Sequence, residues 1–246
     1  MEKTVKPIKN ADTGKKEQVS NMFDTIAPYY DFLNRFLSLG IDTIWRKKAI
    51  NVLKPFAPQK ILDVATGTAD LAIEIAKQLN PKEIVGVDIS KEMLAIGDKK
   101  IKKKGLDKVI SLAQGDSENL PFEDNSFDAI TVAFGVRNYE NLEKGLQEMR
   151  RVLKKDGQLV VLEFSKPTIF PFRQLFNAYF KYILPTIGKF TSKDPDAYRY
   201  LYESVQAFPD GQKFVEVLDK TGFKSNQCTR LSLGICSIYH LSLIHI

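Results

Sequence analysis

The sequence predicts an α/β protein built on a seven-stranded, mostly parallel sheet, with helices on both faces and an antiparallel terminal strand. Between residues 61 and 165, short apolar runs alternate with amphipathic segments, a pattern typical of parallel sheets with right-handed crossovers. The stretch ILDVATGTAD (61–70) has the pattern of a buried strand, a tight turn and the start of a helix. With 246 residues, 43% of them hydrophobic, the chain can fill one sizeable core.

The individual elements follow from apolar runs of strand length and from stripes of helical period. The predicted strands cover residues 61–64, 83–88, 109–116, 127–134 and 158–165, and two more cover 223–231 and 234–241. Helices are predicted at 70–79, 91–104, 142–155 and 211–221. Ser90 is placed to cap the second of them.

The two ends of this alternating region differ from it in composition. Residues 1–16 are polar and are predicted to be flexible, whereas residues 17–246 are predicted to form a single domain. Within that domain we expect an N-terminal helical cover (17–55) and a helical lid insertion (166–205), where prolines interrupt a segment rich in aromatic residues.

Composition excludes some classes of protein and leaves others open. A net charge of +6 suits a nucleic acid, an anionic membrane surface or a solvated basic face equally well. Two cysteines without CxxC spacing and two histidines indicate neither a metal site nor a disulfide framework. Because no apolar run reaches about 18 residues, we expect a cytoplasmic protein, either free or peripheral at the inner face of the membrane.

Candidate ligand-binding residues follow successive strands, where open parallel sheets bind their ligands. Gly67 is the only glycine in the first turn, and this argues against the three-glycine loop of nicotinamide dehydrogenases. Asp88 ends the second strand and can accept hydrogen bonds from two ribose hydroxyls. Asp116 and Ser117 follow the third strand, where Asp116 can accept from an adenine amino group. An aspartate at a strand end, taken alone, is more often a turn or helix-cap residue than a ligand contact, so only the joint order of these two favours an adenosine-type ligand.

Four motifs carry a resemblance to the class I S-adenosylmethionine-dependent methyltransferases, which have a Rossmann-like fold. They are ILDVATGTAD, GVDIS, QGDSENLPFEDNSFD and RVLKKDGQLVVLEFS. Within that superfamily the chain is similar to the UbiE/MenG family in four further motifs over roughly residues 17–236. These are NMFDTIAPYYDFLNRFLSLGIDTIW, AFGVRN, LEFSKP and DAYRYLYES. The family C-methylates polyprenylated benzoquinols or naphthoquinols.

The resemblance implies contacts with S-adenosylmethionine from residues that match the family's motifs. These residues are Thr68, Asp88, Asp116 and Ser117, with Gly67 allowing close approach. The chain departs from the family at Ala133, where some members have a serine contact, and at Asp42, where many have a histidine. We therefore expect the Ala133 contact to be lost.

The implied chemistry needs a reduced quinol, because the ring carbon becomes nucleophilic when a hydroxyl loses its proton. A cation beside the developing phenolate lowers its pKa, and Arg137 is the candidate for that cation. An equally weighted interpretation pairs Arg137 with a carboxylate in a structural network. Tyr30 and Asn138 are candidates for orienting the ring or a bridging water, and Asp31 or Asp70 for accepting the proton. No catalytic metal is required.

The expected partner is a polyprenylated quinol, with demethylmenaquinol preferred and the methoxybenzoquinol of ubiquinone synthesis as the alternative. Aromatic and basic residues at 169–190 would cover the prenyl chain or contact a membrane, or else pack as a lid on the core. An RNA methyltransferase is a more remote alternative, but no RNA-binding motif is present and we expect no nucleic-acid partner. A homodimer is compatible with the sequence, which does not specify an oligomeric state.

Overall fold

The computed structural model describes residues 5–8, 12–179, 182 and 195–242. The helices are α1 (Lys15–Leu37), α2 (Ile41–Leu53), α3 (Asp70–Leu79), α4 (Lys91–Lys103), α5 (Leu142–Val152), α6 (Phe172–Ala178), α7 (Pro195–Ala207) and α8 (Gln212–Lys220). The strands are β1 (Lys60–Val64), β2 (Glu83–Asp88), β3 (Ile110–Gln114), β4 (Phe127–Ala133), β5 (Leu153–Phe164), β6 (Lys224–Leu231) and β7 (Cys236–Ser242).

The seven strands form one sheet in the order β3-β2-β1-β4-β5-β7-β6. β1 pairs in parallel with both β2 and β4, and β7 is antiparallel to both of its neighbours, β5 and β6. The predicted fold class is therefore confirmed. The order in which strands are added reverses next to β1, because β2 and β3 lie on one side of it and β4 and β5 on the other. In open α/β sheets, ligands bind at such a point.

Apolar layers cover both faces of the sheet. Leu62 and Val64 of β1 belong to a cluster that includes residues of α5 and α8, whereas Ile61 belongs to one that includes residues of α2 and α3. A strand buried on both faces has a nearly continuous apolar sequence, as the run ILDV has. Burial of these clusters away from water is the main favourable contribution to folding.

The boundary between α5 and β5 differs from the prediction. Residues 153–155, expected at the end of the helix, belong to β5, which begins at Leu153 rather than at Gln158. Leu153 pairs with Phe127, and the next pair is Gln158 with Ala129, so four residues bulge out of the ladder. Lys154 in that bulge forms a 2.6 Å ion pair with Asp128. The helical period could not reveal this, because the pairing partners are distant in sequence.

The helical cover and the lid are described in part. α1 begins at Lys15, two residues before the predicted boundary, and α6 and α7 lie within the predicted lid insertion. Residues 1–4 and 9–11 of the predicted flexible segment, and 180–181 and 183–194 of the predicted lid, lie outside the described residues. Within the described part of the chain, no helix is long and apolar enough to cross a membrane.

Candidate active site

In the turn after β1, every second residue has a positive φ, and this conformation places backbone amide groups at the carboxyl ends of the central strands. Ala65, Gly67 and Ala69 all have positive φ, at 53°, 55° and 62°. For alanine this conformation costs roughly 1–2 kcal/mol. The amide of Gly67 donates to the Asp88 carboxylate at 2.8 Å. The turn is thereby fixed to the end of β2.

A buried carboxylate supports this turn from below. Asp63 is 1% exposed and accepts hydrogen bonds from the hydroxyls of Thr66 and Thr131, each at 2.6 Å. Burial raises the pKa of Asp63 to about 6, although the two hydroxyl donors oppose the rise. The conformation of the turn therefore depends on an acid that titrates close to neutral pH.

The first cleft, here called the cofactor cleft, lies where β1, β2, β3 and β4 end. It has a volume of about 700 Å³ including its open mouth, and Gly67, Asp88, Asp116 and Ser117 all line it. Asp88 holds the amide of Ser90 at 2.9 Å in addition to that of Gly67, and burial raises the pKa of Asp88. The apolar side chains of Ile89 and Met93 also line this cleft. Four of the five predicted cofactor residues are thus brought together.

Helix α1 closes one side of the cofactor cleft through polar contacts. The Lys16 ammonium pairs with Asp116 at 2.6 Å and with Glu118 at 3.2 Å. The Ser90 hydroxyl donates to Asp24 at 2.6 Å. Lys15 is 7% exposed, and its ammonium donates to the carbonyl of Tyr139 at 2.7 Å. Because burial removes water from this ammonium, the pKa of Lys15 falls to about 8.

The fifth predicted cofactor residue, Thr68, lines an adjoining small pocket instead. This pocket of about 360 Å³ also contains Gly67, Arg46, Asp63 and Asp70. The Thr68 hydroxyl donates to Asp31 at 2.5 Å, and the ammonium of Lys100 on α4 binds both Asp31 and Asp70. The two candidate proton acceptors therefore belong to one ion cluster, and neither lines the larger cavity described next.

A second and larger space, here called the apolar cavity, lies between α1, α2, α6, α7 and the end of β5. Its volume is about 1710 Å³ including the open mouth. Its walls are mostly aromatic and aliphatic, and include Met22, Ile26, Leu33, Trp45, Phe134, Phe164, Phe176, Tyr179, Tyr200 and Leu201. Pockets of this character bind ligands with large apolar surfaces.

Arg137 lies in the wall of the apolar cavity, in a short 3-10 turn (Val136–Asn138) after β4. Its guanidinium pairs with Glu163 at 2.7 Å, and the two side chains are only 7% and 0% exposed. Burial raises the pKa of Glu163, and the charge of Arg137 opposes this rise. Arg137 also donates to the carbonyl of Phe134. The carboxylate pairing considered for Arg137 is present, and it leaves the residue facing the cavity.

The two spaces share part of their walls. Phe23, Tyr30, Phe134 and Asn138 line both. Asn138 is 9% exposed, and its Oδ1 is buried without a hydrogen-bond partner among the described residues. Two of the three predicted catalytic residues thus lie between the two spaces, and the third, Arg137, lies in the cavity.

Several residues of the site were missed by sequence reasoning. Lys15 and Lys16 were placed in the flexible segment, and Lys100, Glu163 and Arg46 were given no role. The motif LEFS contains Glu163 at the end of a predicted strand, and this position could have identified it as a site residue. The lysines gave no such signal, because a charged residue in a helix carries no information about its distant partner.

This fold, with a cleft at the carboxyl ends of its strands, is shared with solved S-adenosylmethionine-dependent methyltransferases. A solved S-adenosylmethionine-dependent methyltransferase from Thermotoga maritima shares the fold, with a TM-score of 0.62 at 18% identity over 91% of this chain and 99% of its own. The chain belongs to the ubiE/COQ5 methyltransferase family, whose family model matches residues 11–243.

Curated relatives agree with this assignment. A demethylmenaquinone methyltransferase of Bacteroides fragilis is 54% identical over 96% of both chains. A ubiquinone/menaquinone biosynthesis C-methyltransferase UbiE of Geotalea uraniireducens is 46% identical over 92% of this chain and 97% of its own. The protein is therefore a methyltransferase enzyme that uses S-adenosylmethionine.

The residues of the cofactor cleft fit this cofactor. Asp88 uses two of its lone pairs on backbone amides and retains others for hydroxyl donors. A Cβ added to Gly67 would meet only the ring of Tyr30, at 4.0 Å, so the backbone is open to close approach. The unpartnered Oδ1 of Asn138 offers a further acceptor at the inner end of the cleft.

Proposed function

We propose that the protein methylates a ring carbon of a polyprenylated quinol, with demethylmenaquinol as the acceptor and menaquinol as the product. The observation that carries the proposal is the apolar cavity and the wall that it shares with the cofactor cleft. A flat aromatic head with a long hydrocarbon tail matches a large aromatic-lined space with few polar groups. The names of relatives at 46–54% identity support the same acceptor.

The proposal assigns the cofactor contacts by chemistry. Asp88 accepts hydrogen bonds from the ribose hydroxyls, and Asp116 and Ser117 contact the adenine. Gly67 allows close approach of the backbone, and Thr68 faces the amino-acid end from the small pocket. When bound, S-adenosylmethionine supplies an electrophilic methyl group.

Arg137 stabilises the phenolate that forms when a quinol hydroxyl loses its proton. A cation within about 4–6 Å lowers the pKa of such a hydroxyl by roughly 1 to 3 units. The rings of Phe134 and Phe164 pack against each other at a tilt, with centroids 4.7 Å apart, and help to exclude water beside the guanidinium, which lies 5.4 Å from the Phe164 ring. Excluding water lowers the local dielectric constant and strengthens the attraction.

Tyr30 and Asn138 orient the quinol ring. Burial raises the pKa of Tyr30, so its hydroxyl stays protonated and acts as a hydrogen-bond donor rather than as a base. The Oδ1 of Asn138 can accept from a quinol hydroxyl. Alignment of two reactants in a dry site can provide effective molarities of about 10⁵ M or more, so positioning supplies much of the expected rate.

The test is a methylation assay with purified protein, S-adenosylmethionine and short-chain demethylmenaquinol or methoxybenzoquinol, each chemically reduced. Product mass is followed by mass spectrometry, and the oxidised quinones serve as controls. We expect a gain of one methyl group on reduced demethylmenaquinol and none on its oxidised form. Turnover of methoxybenzoquinol alone would assign the ubiquinone pathway, and no gain on either quinol would contradict the proposal.

The proposal includes an anionic membrane surface as the place where the quinol is met. Exposed apolar residues surround the mouth of the cavity: Leu39, at 84% exposure, Ile41, Phe172 and Leu175. Exposed basic residues on the same helices or next to the apolar ones are Arg35, Lys47, Lys48 and Arg173. Apolar side chains bordered by basic ones suit the surface of an anionic bilayer.

Sedimentation with phosphatidylglycerol vesicles tests this contact. Leu39→Asp and Leu175→Asp should each reduce the bound fraction. Phe56→Asp is the matched control. Phe56 is 45% exposed, but it precedes β1 and therefore lies at the amino-terminal ends of the strands, away from the cavity. Equal binding of all variants would contradict the membrane contact. Two expectations remain predictions from the sequence: that no nucleic acid is a partner, and that a homodimer is compatible with the chain.

A further inference from the structure

Arg46 is a buried cation at the junction of the small pocket and the apolar cavity. It is 8% exposed, and it lines both spaces. It is the only lysine or arginine among the described residues that line the small pocket. An arginine so far from water needs anionic or π partners to offset the loss of its hydration.

The partners of Arg46 leave part of its guanidinium available. Within the described ranges its hydrogen bonds go to Asp42 alone, through Nη1, and its guanidinium carbon lies 6.0 Å from the centroid of the Phe134 ring. Asp42 is 4% exposed and is held by the Ser38 hydroxyl at 2.8 Å. Since Nε and Nη2 have no hydrogen-bond partner there, the fork can receive a second anion.

The rest of the small pocket resembles a site for an α-amino acid. The hydroxyl of Thr68 and the backbone of Gly67 lie beside Arg46, with the carboxylates of Asp63 and Asp70 in the same lining. One cation and nearby carboxylates complement a molecule that carries both a carboxylate and an ammonium group. The small pocket and the cofactor cleft share Ala65 and Gly67, so a ligand in the cleft extends directly into it.

We propose that Arg46 binds the amino-acid carboxylate of S-adenosylmethionine, and that Asp42 is a positioning residue that orients the guanidinium. The proposal concerns the cofactor and holds whichever acceptor the enzyme uses. Charge-assisted hydrogen bonds in a partly buried site are strong, so loss of this contact should weaken binding by about 10- to 100-fold.

The test is titration calorimetry without any quinol, so that binding is measured and no methyl transfer occurs. The probes are S-adenosylmethionine and its decarboxylated form, which keeps the sulfonium and ammonium groups. The unaltered protein should bind S-adenosylmethionine about 10- to 100-fold more tightly than the decarboxylated form. Arg46→Met should lose this preference, because its affinity for S-adenosylmethionine falls while its affinity for the decarboxylated form does not change. Arg46→Lys should keep part of the preference.

Removing Arg46 leaves Asp42 buried without its cation, so Arg46→Met is also prepared together with Asp42→Asn. Lys77→Met is the matched control, because Lys77 is an exposed cation on α3 that lines none of the three spaces. Asp42→Asn alone should reduce the affinity for S-adenosylmethionine less than Arg46→Met does. Equal weakening of both ligands by Arg46→Met, or an unchanged preference in the double variant, would overturn the proposal. Failure of quinol methylation with this preference intact would contradict only the proposed acceptor.

Discussion

The cofactor cleft and the apolar cavity are adjacent but are built in different ways. Strand ends supply most of the cleft, and each side chain there is fixed by its place in the sheet, as Asp88 is at the end of β2. Helices of the cover and the lid supply most of the cavity, whose lining depends on contacts between segments far apart in sequence. We infer from this difference that the strand ends supply most of the proposed methyl-donor site, with Arg46 of α2 added by the helical cover, whereas the cover and the lid supply most of the proposed acceptor site.

The largest effect is expected from Arg137→Met, which alters the cavity side. Loss of Arg137 leaves Glu163 buried without its partner, and such a loss costs about 3–5 kcal/mol of stability. We also expect kcat to fall by about 100-fold or more, because electrostatic stabilisation of the phenolate is lost. Urea unfolding and quinol turnover measure the two effects separately.

The matched control combines Arg137→Met with Glu163→Gln, which removes both charges while keeping a hydrogen-bond acceptor for the amide of Phe164. Stability should recover in this double variant while kcat stays low, and affinity for S-adenosylhomocysteine should remain unchanged. If turnover recovered together with stability, Arg137 would have only a structural role, and the apolar cavity would lack the catalytic cation that we assign to it.

A smaller effect, on the cleft side, is expected from Asp88→Asn. The substitution weakens hydrogen bonds to two ribose hydroxyls by about 2–3 kcal/mol in total, which corresponds to roughly 30- to 150-fold in affinity for S-adenosylhomocysteine. Calorimetry measures that affinity, and KM for the quinol should hardly change. If KM for the quinol rose by the same factor as the affinity for S-adenosylhomocysteine fell, the cleft and the cavity would not bind their ligands independently.

The smallest effect is a pH dependence beneath the cofactor loop. The pKa of Asp63 is raised to about 6 in the folded protein from 3.8, so the folded state binds the proton more tightly. The resulting stability is complete below about pH 4 and is lost as pH rises to about 6, at up to about 1 kcal/mol per pH unit. Asp63→Asn should lack this contribution. Parallel plots of unfolding free energy against pH for the two proteins would contradict it.

The strands and most of the cleft were predictable from the sequence, because the positions of the strands and of the residues that follow them depend on local apolar patterns. The order of the strands in the sheet was not predicted. Ser90 caps α4 as expected, accepting from the amide of Met93 at 3.2 Å. The Lys16–Asp116 pair was not predictable, since 100 residues separate its members. The position of Glu163 at a strand end was visible in the sequence, but its pairing with Arg137 was not, because Arg137 follows a different strand. Local sequence specifies a side chain's position in its element, and only tertiary packing specifies its partner.

The wall that the two spaces share, formed by Phe23, Tyr30, Phe134 and Asn138, has an evolutionary consequence. A change at one of these residues alters the surroundings of donor and acceptor together, so selection on either ligand constrains it. Residues that line the cavity alone, such as Leu33, Phe176 and Leu201, are free of that double constraint. Substitutions at positions that line only the cavity can therefore change the preferred acceptor while the methyl-donor site stays intact.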